Sequence, residues 1–319
     1  MRVSDRIGRQ MKLHDLHVLM AVVEAGSMNK AATRLNTGQS AISRSIADLE
    51  QTIGVRLVNR GPRGVEPTQY GRALLDGGTA VFDDLRRAVR TIEFLADPTA
   101  GEVRIGSSAL LAASFVSALA DRLFQRHSGI VFHLVTGHVE ALHRELSGRN
   151  VDLLITRRFG PLVDERFEFE FLFDDSFVVA AGAQSPWVRR RKIELADLVD
   201  ESWVLPPPGS VIPSVVMQAF RAKGLRYPRT AVVTESSEVR TSLLATGRYL
   251  AVYPASVLRF SRSFPGIRIL PVKLPMAPLP NGMVTLKKRT LGPVVQLFID
   301  CAREFAKPLA QHRGRRSTK

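Results

Sequence analysis

Apolar positions near the start of the chain recur at helical spacing. Leu13, Leu16, Met20 and Val23 share one face, and Met28, Ala31, Ala32 and Leu35 fall at i, i+3, i+4 and i+7. Ile42, Ile46, Leu49 and Ile53 repeat every three or four residues. This periodicity predicts three amphipathic helices between Lys12 and Ile53. Gly26-Ser27 and Asn36-Thr37-Gly38 break the chain between them, and Ser27 is a natural N-cap. The pattern then shortens. Val55–Thr68 is punctuated by Gly61, Pro62, Gly64 and Pro67, which suits a hairpin. From Thr68 to Ala96 the helical period returns. Leu74, Gly78, Val81, Leu85, Ala88, Ile92 and Leu95 alternate steps of four and three, forming a heptad seam. A seam of this kind either pairs with a second copy or packs on its own domain, and its persistence favours pairing. Asp97-Pro98-Thr99-Ala100-Gly101 ends the helix and marks a boundary.

Beyond that boundary, strand and helix patterns alternate. Strands are predicted at Val103–Ile105, Ile130–Val135, Val151–Ile155, Phe177–Ala180, Trp203–Leu205, Ala231–Thr234 and Leu250–Tyr253. Helices are predicted at Ser107–His127, Val139–Ser147, Ser214–Lys223, Glu238–Thr246 and Pro293–Phe305. Such an order builds α/β domains with mostly parallel sheets. The Pro-rich stretch from Pro271 to Pro280 and the last helix suggest a return to an earlier subdomain. Gln311–Lys319 is basic and polar and is expected to be disordered. The division expected is a helical head over 1–67, a linker helix over 68–97, an α/β domain over 98–310 and a tail over 311–319.

Charge sharpens this picture. Lys and Arg number 45 against 30 Asp and Glu in 319 residues, a formal net charge of +15. That balance suits a polyanionic partner, and equally a basic surface with no special task. No apolar run approaches the roughly 18–20 residues that span a bilayer, so no membrane partner is expected. Met1–Gln10 lacks the apolar stretch of a secretory signal, and Cys301 is the lone cysteine. Both fit a cytoplasmic protein. Cys301 lies in the apolar run Val294–Phe305 and reads as a core residue. No phosphate-binding loop, dinucleotide fingerprint or nucleophile elbow is present. His138 and His143 do not have the spacing of a helical zinc pair. The chain is therefore expected to be no enzyme, with no catalytic residues, metal or cofactor. Its C-terminal half alone would suit an exported solute-binding protein, and its charge alone a nonspecific nucleoid protein.

The third helix carries the candidate chemistry. Opposite its apolar stripe stand Gln39, Ser40, Ser43, Arg44 and Ala47. Small side chains let a helix enter a major groove. Glutamine matches the adenine edge, and arginine matches guanine or a phosphate. A polar helix face is usually only solvated. Two preceding helices, a tight turn and the following Arg60, Arg63 and Gly64 make this one a candidate reader of double-stranded DNA. Asn29, Arg34 and Thr37 complete the candidate interface.

These residues also carry a family resemblance. Gly26-Ser27-Met28-Asn29-Lys30-Ala31-Ala32-Thr33-Arg34-Leu35, Gln39-Ser40-Ala41-Ile42-Ser43-Arg44, Leu49-Glu50, Gly54-Val55-Arg56-Leu57 and Thr68-Gln69-Tyr70-Gly71 resemble the LysR-type transcriptional regulators. Leu146-Ser147-Gly148-Arg149-Asn150-Val151-Asp152-Leu153 extends the resemblance, which runs from about Lys12 to Phe305. It implies a multidomain α/β protein: an N-terminal winged helix-turn-helix, a dimerising linker helix, and a two-lobed effector domain like periplasmic binding proteins. It further implies sequence-specific DNA binding tuned by a small-molecule effector, a homodimer or homotetramer, and contact with RNA polymerase. Gly38 departs from the Ser or Thr usual in the family, Met28 from Phe, and Gln69-Tyr70 from a smaller pair.

In open α/β sheets ligands gather beyond the carboxyl ends of strands. The strand ends here offer Ser107, Ser108, Thr136, His138, Ser210 and Ser236 as effector-binding candidates. The hydroxyls are as well placed to cap helices, and His138 to face water. Arg157-Arg158 could attract a carboxylate or be ordinary surface charge.

Overall fold

The computed structural model describes residues 10–62, 64–158, 160, 164–260 and 266–310. They form two units that divide between Val89 and Arg90.

The first unit opens with three helices, α1 (Leu13–Ala25), α2 (Met28–Arg34) and α3 (Gln39–Ile53). They meet in one core of Val18, Leu19, Val22, Met28, Ala31, Ile42, Ile46 and Leu49. The stripes of α2 and α3 are those expected, but α1 is apolar nearly all round and turns Val18, Leu19 and Val22 inward: of the expected face Leu16 is buried, Met20 and Val23 are half-buried and Leu13 is exposed. Met28 thus fills a core position despite its departure from the family pattern. A two-stranded wing follows, β1 (Val58–Gly61) and β2 (Gly64–Pro67), antiparallel from Val58↔Pro67 to Gly61↔Gly64. Gly26 ends α1 in the left-handed region, and its carbonyl accepts from the Val65 N–H at 2.9 Å. A Cβ on Gly64, itself at φ +114°, would lie 2.5 Å from that carbonyl oxygen, so this close approach requires glycine. The Glu50 carboxylate accepts from the N–H groups of Leu57 and Val58 at 2.7 and 3.2 Å and pins the wing to α3. Thr68 then starts α4 (Gln69–Ala96), its hydroxyl accepting from the Gly71 N–H at 3.0 Å.

The second unit has two lobes, each built on a five-stranded sheet. The first sheet has the order β4-β3-β5-β12-β6. Its strands are β3 (Ala100–Ser107), β4 (Gly129–Thr136), β5 (Leu153–Arg157), β6 (Phe167–Asp175) and β12 (Leu279–Leu286). The second, β11-β7-β10-β8-β9, uses β7 (Phe177–Gly182), β8 (Trp203–Leu205), β9 (Thr230–Val233), β10 (Leu250–Pro254) and β11 (Ile267–Ile269). The chain passes from one lobe to the other at Ser176 and returns to the first with β12, as the Pro-rich stretch suggests.

Both sheets are mixed rather than mostly parallel. β12 runs antiparallel to β5 and β6, and β7 runs antiparallel to β10 and β11. Three of these strands escape the sequence reading. β6 alternates Phe167-Glu168-Phe169-Glu170-Phe171, a legible period-two signal. β12 holds Pro280, Asn281 and Gly282, which read as a turn, and β11 is too short to show a period.

The helix expected over Ser107–His127 is broken into α5 (Ala109–Leu111), a π-helical turn over Ala112–Val116, and α6 (Ser117–Phe124). The hydroxyls of Ser114 and Ser117 donate to the carbonyls of Leu110 and Ala112, satisfying acceptors that the wide turn frees. The remaining helices are α7 (Val139–Ser147), α8 (Val211–Arg221), α9 (Ser237–Ala245), α10 (Ala255–Phe260) and α11 (Pro293–Ala310). α8 starts before the predicted Ser214 because Pro213 lies in its first turn, where a missing N–H is harmless.

Phe115 and Phe298 anchor the first core, with Phe115 against Phe173 at 5.0 Å between ring centres. Trp203 and Phe220 anchor the second, and the Trp203 indole donates to the Leu198 carbonyl at 2.8 Å. Cys301 belongs to the first core, and burial pushes its thiol pKa up, as expected of a packing residue. Two buried ion pairs join distant segments. Arg289 pairs with Asp152 at 3.0 Å, and Asp152 also accepts from the Arg104 N–H at 2.9 Å. Arg157 pairs with Asp175 at 3.0 Å where β6 gives way to β7.

Candidate functional site

In the first unit, α3 presents Gln39, Ser40, Arg44 and Ala47 to solvent, with Ser43 half-buried between them. Gly38 occupies the N-cap with extended backbone and offers no side-chain acceptor. The N–H groups that open α3 are therefore left for an external acceptor, and the helix dipole favours an anion there. Arg60 on the wing donates to the Ser43 hydroxyl at 3.2 Å, which brings wing and helix side chains together. Asn29 and Thr37 are exposed. Arg34 is exposed but pairs with Glu24 at 2.9 Å, so it meets a phosphate only by exchanging partners. Arg63 lies outside the described residues. Glu50 was legible only as part of the family pattern; its bracing of the wing needed the fold.

On α4 the predicted seam packs inward at its start, Leu74 lying against the core of the first unit, and is bare beyond Gly78. Val81, Leu85, Ile92 and Leu95 are 42%, 44%, 66% and 73% exposed, and Val89 joins them. Gly78, also on the seam, is instead buried, where a Cβ would press on the Leu16 side chain at 2.9 Å.

In the second unit a cavity of about 770 Å³ opens between the lobes. The first lobe contributes His138, α7 and the end of β5, and the second contributes Gly209, Ser210 and Val211 at the start of α8. Phe167 and Phe169 form an apolar wall. Arg158 lies over the Phe169 ring, 4.6 Å from its centre. Asp164 holds Arg166 at 2.7 Å, and those hydrogen bonds bring the Asp164 carboxyl below its usual range. His143 sits against Phe167, and burial lowers its pKa and favours the neutral ring. His138 reaches Glu235 of the other lobe, with Nε2 3.4 Å from a carboxylate oxygen, and so spans the cleft.

Of the six candidates in this region, His138 and Ser210 line the cavity. Ser107 is buried, and its hydroxyl donates to the Ile155 carbonyl at 2.8 Å, tying β3 to β5. Ser236 caps α9, its hydroxyl accepting from the Val239 N–H at 3.1 Å. For these two the capping or structural alternative describes the geometry. Ser108 occupies the N-cap of α5 without a side-chain cap bond, and Thr136 is exposed at the end of β4. Thr156, Arg144 and Arg158 line the cavity without being among those six. Arg144 and Thr156 gave no local signal, since their convergence depends on the lobes meeting. Among the described residues no three His, Cys, Asp or Glu are grouped to hold a metal, and no helix is long and apolar enough to cross a membrane.

A head that offers a groove-sized polar helix beside a wing, on the same chain as a two-lobed cleft, belongs to the ligand-responsive transcriptional regulators. Comparison with known proteins makes this specific. Residues 13–72 match the bacterial regulatory helix-turn-helix proteins of the lysR family, and residues 96–307 match the LysR substrate binding domain. The chain belongs to the LysR family of transcriptional regulators and is not an enzyme. It is 26% identical over 285 residues to the regulator GbpR of Azospirillum brasilense, covering 89% of this chain and 83% of that one. It is 30% identical over 237 residues to a RuBisCO operon transcriptional regulator of Allochromatium vinosum, covering 73% and 76%. Its fold is similar to that of a full-length OxyR variant from Pseudomonas aeruginosa, with TM-score 0.66, 20% identity, and coverage of 94% and 98%.

Proposed function

We propose that the chain is a cytoplasmic, homo-oligomeric regulator that reads an operator with α3 and the wing, and changes that reading when a small molecule occupies the cleft between its C-terminal lobes. Residues 1–67 bind DNA, 68–97 dimerise and 98–310 sense the effector, with 311–319 a basic tail. Gln39, Ser43 and Arg44 contact base edges. Asn29, Arg34, Thr37, Ser40, Arg60 and Arg63 contact the backbone or the wing's groove. The bond from Arg60 to Ser43 carries this reading, because it holds a wing cation and the polar face of α3 in one surface. The bare apolar row on α4 supports the dimer, and family membership extends it to a homotetramer and to contact with RNA polymerase.

The effector reading rests on the cavity that both lobes line, with His138 and Ser210 at its edge. A ligand there touches both lobes and shifts their balance only by binding one arrangement better than another.

Binding of the full chain to its own upstream DNA, against random DNA across a salt series, tests the DNA reading. A preference of about 10³-fold or more that persists at moderate salt is expected. Equal, steeply salt-dependent binding to both would leave only charge being read.

A further inference from the structure

Two buried arginines of the C-terminal unit have carboxylates of their own. Arg289, with its side chain 3% exposed, meets Asp152, and Arg157, at 11%, meets Asp175. A third has no such match. Arg240 of α9 is 2% exposed, and among the described residues no carboxylate pairs with its guanidinium. Its Nε is buried without an acceptor, as is that of Arg157, but Arg157 has Asp175 to meet its charge. Its visible neighbour is an aromatic face: the guanidinium carbon lies 4.6 Å from the centre of the Tyr253 ring. A ring face attracts a cation but neither neutralises it nor accepts its in-plane N–H groups. The acid on α9, Glu238, attracts Arg240 across a distance but makes no ion pair with it; it is exposed, and its oxygens already accept from the hydroxyls of Ser236 and Ser237.

The position of Arg240 is equally telling. β10 runs parallel to β8, so Tyr253 stands at the carboxyl end of that sheet, where open α/β domains take their ligands. Tyr253 packs in a cluster with Leu244 and Val257, and Leu110, at the start of α5 in the other lobe, packs against the same cluster. Arg240 therefore stands beside the seam between lobes. Glu235, in the loop that leads into α9, meets His138 at the rim of the cavity already described.

We propose that Arg240 is an anion-binding residue and that the effector carries a carboxylate or phosphate group that it neutralises. This rests on the reading of the lobe seam as the effector site, and names the chemical class of the effector. A planar guanidinium with a free Nε edge takes either group through two parallel hydrogen bonds. In the empty protein the buried guanidinium has no carboxylate in contact and is attracted only by the more distant charge of Glu238, and a bound anion removes the penalty that remains. Residues kept for binding rather than for stability have this property.

The test is thermal denaturation of the full-length chain during titration with inorganic phosphate or with succinate, each against potassium chloride at equal ionic strength. The melting temperature of the wild type is expected to rise beyond the chloride control with at least one anion, and the responding arm identifies phosphate or carboxylate as the group. Arg240→Met is expected to abolish that rise while melting, without anion, at or above the wild-type temperature. Arg240→Lys keeps the charge without the planar fork and is expected to retain only part of the rise. No rise in the wild type with either anion, or a rise that Arg240→Met preserves, overturns the proposal. So does a lower anion-free melting temperature for Arg240→Met, which would mark a structural cation. Operator binding by the wild type, measured without added anion, tests the regulator reading separately.

Discussion

Replacing Asp175 by alanine removes the acceptor that holds three donors at the lobe crossing. Asp175 is 3% exposed and accepts from the Arg157 guanidinium at 3.0 Å and from the Ser256 N–H at 3.0 Å. It also accepts from the Ser256 hydroxyl. Burial alone lowers the pKa of Arg157, and the Asp175 charge opposes that shift. Without Asp175 the guanidinium is left buried and unpaired, a loss of about 3–5 kcal/mol. For a domain of roughly 150–250 residues each kcal/mol moves the melting temperature by about 2–4 °C, so the C-terminal transition is expected to fall by about 6–20 °C. Differential scanning calorimetry of the full chain reads that transition. The companion variant, Asp175→Leu with Arg157→Met, removes both charges and is expected to recover the part of the loss that comes from the unpaired guanidinium, while the Ser256 donors stay without their acceptor. A single variant that melts within about 2 °C of the wild type, less than 1 kcal/mol on the same scale, would refute the reasoning. So would a double variant as unstable as the single one.

Other consequences can be measured as directly. Arg44→Ala is expected to weaken operator binding by about 1–3 kcal/mol and to relax preference at one position. Uniform weakening across sequences would make Arg44 a phosphate contact instead. Leu85→Asp is expected to break the dimer, read by analytical ultracentrifugation, since it places a charge in the middle of the exposed row on α4; unchanged sedimentation would remove the seam from the interface. Hydrogen bonds depress the carboxyl pKa values of Asp97, Asp164 and Glu238. Their contribution is present above the ordinary carboxylate range of about 4 and is lost as pH falls through the lowered values. Acid titration of stability is therefore expected to be shallower for Asp164→Asn than for the wild type.

Much of the DNA-binding head was legible because its information is local. The stripes on α2 and α3 name the core, whereas α1, apolar nearly all round, buries Val18, Leu19 and Val22 in place of the face its spacing suggested; once the α3 stripe turns inward the opposite face must carry Gln39, Ser43 and Arg44. The same logic found the α4 seam, although it could not tell that Gly78 faces Leu16. The effector cleft behaved differently. Ser107 and Ser236 look like ligand residues when only strand ends are considered. In the fold their hydroxyls are engaged internally, with the Ile155 carbonyl across the sheet for one and the Val239 N–H in the first turn of α9 for the other.

The sequence by itself determined the family, the alternation of helix and strand, and the polar exposed face of α3, because each follows from spacing within a few turns or from a motif of fixed length. Only the tertiary structure decided which buried charges are matched. Asp152 and Arg289 are 137 positions apart, yet they meet. Arg240 reads as an ordinary helical arginine, yet it is buried against Tyr253 with no carboxylate in contact among the described residues. A charge's environment is set by what packs around it from distant parts of the chain, and that packing is a property of the fold as a whole.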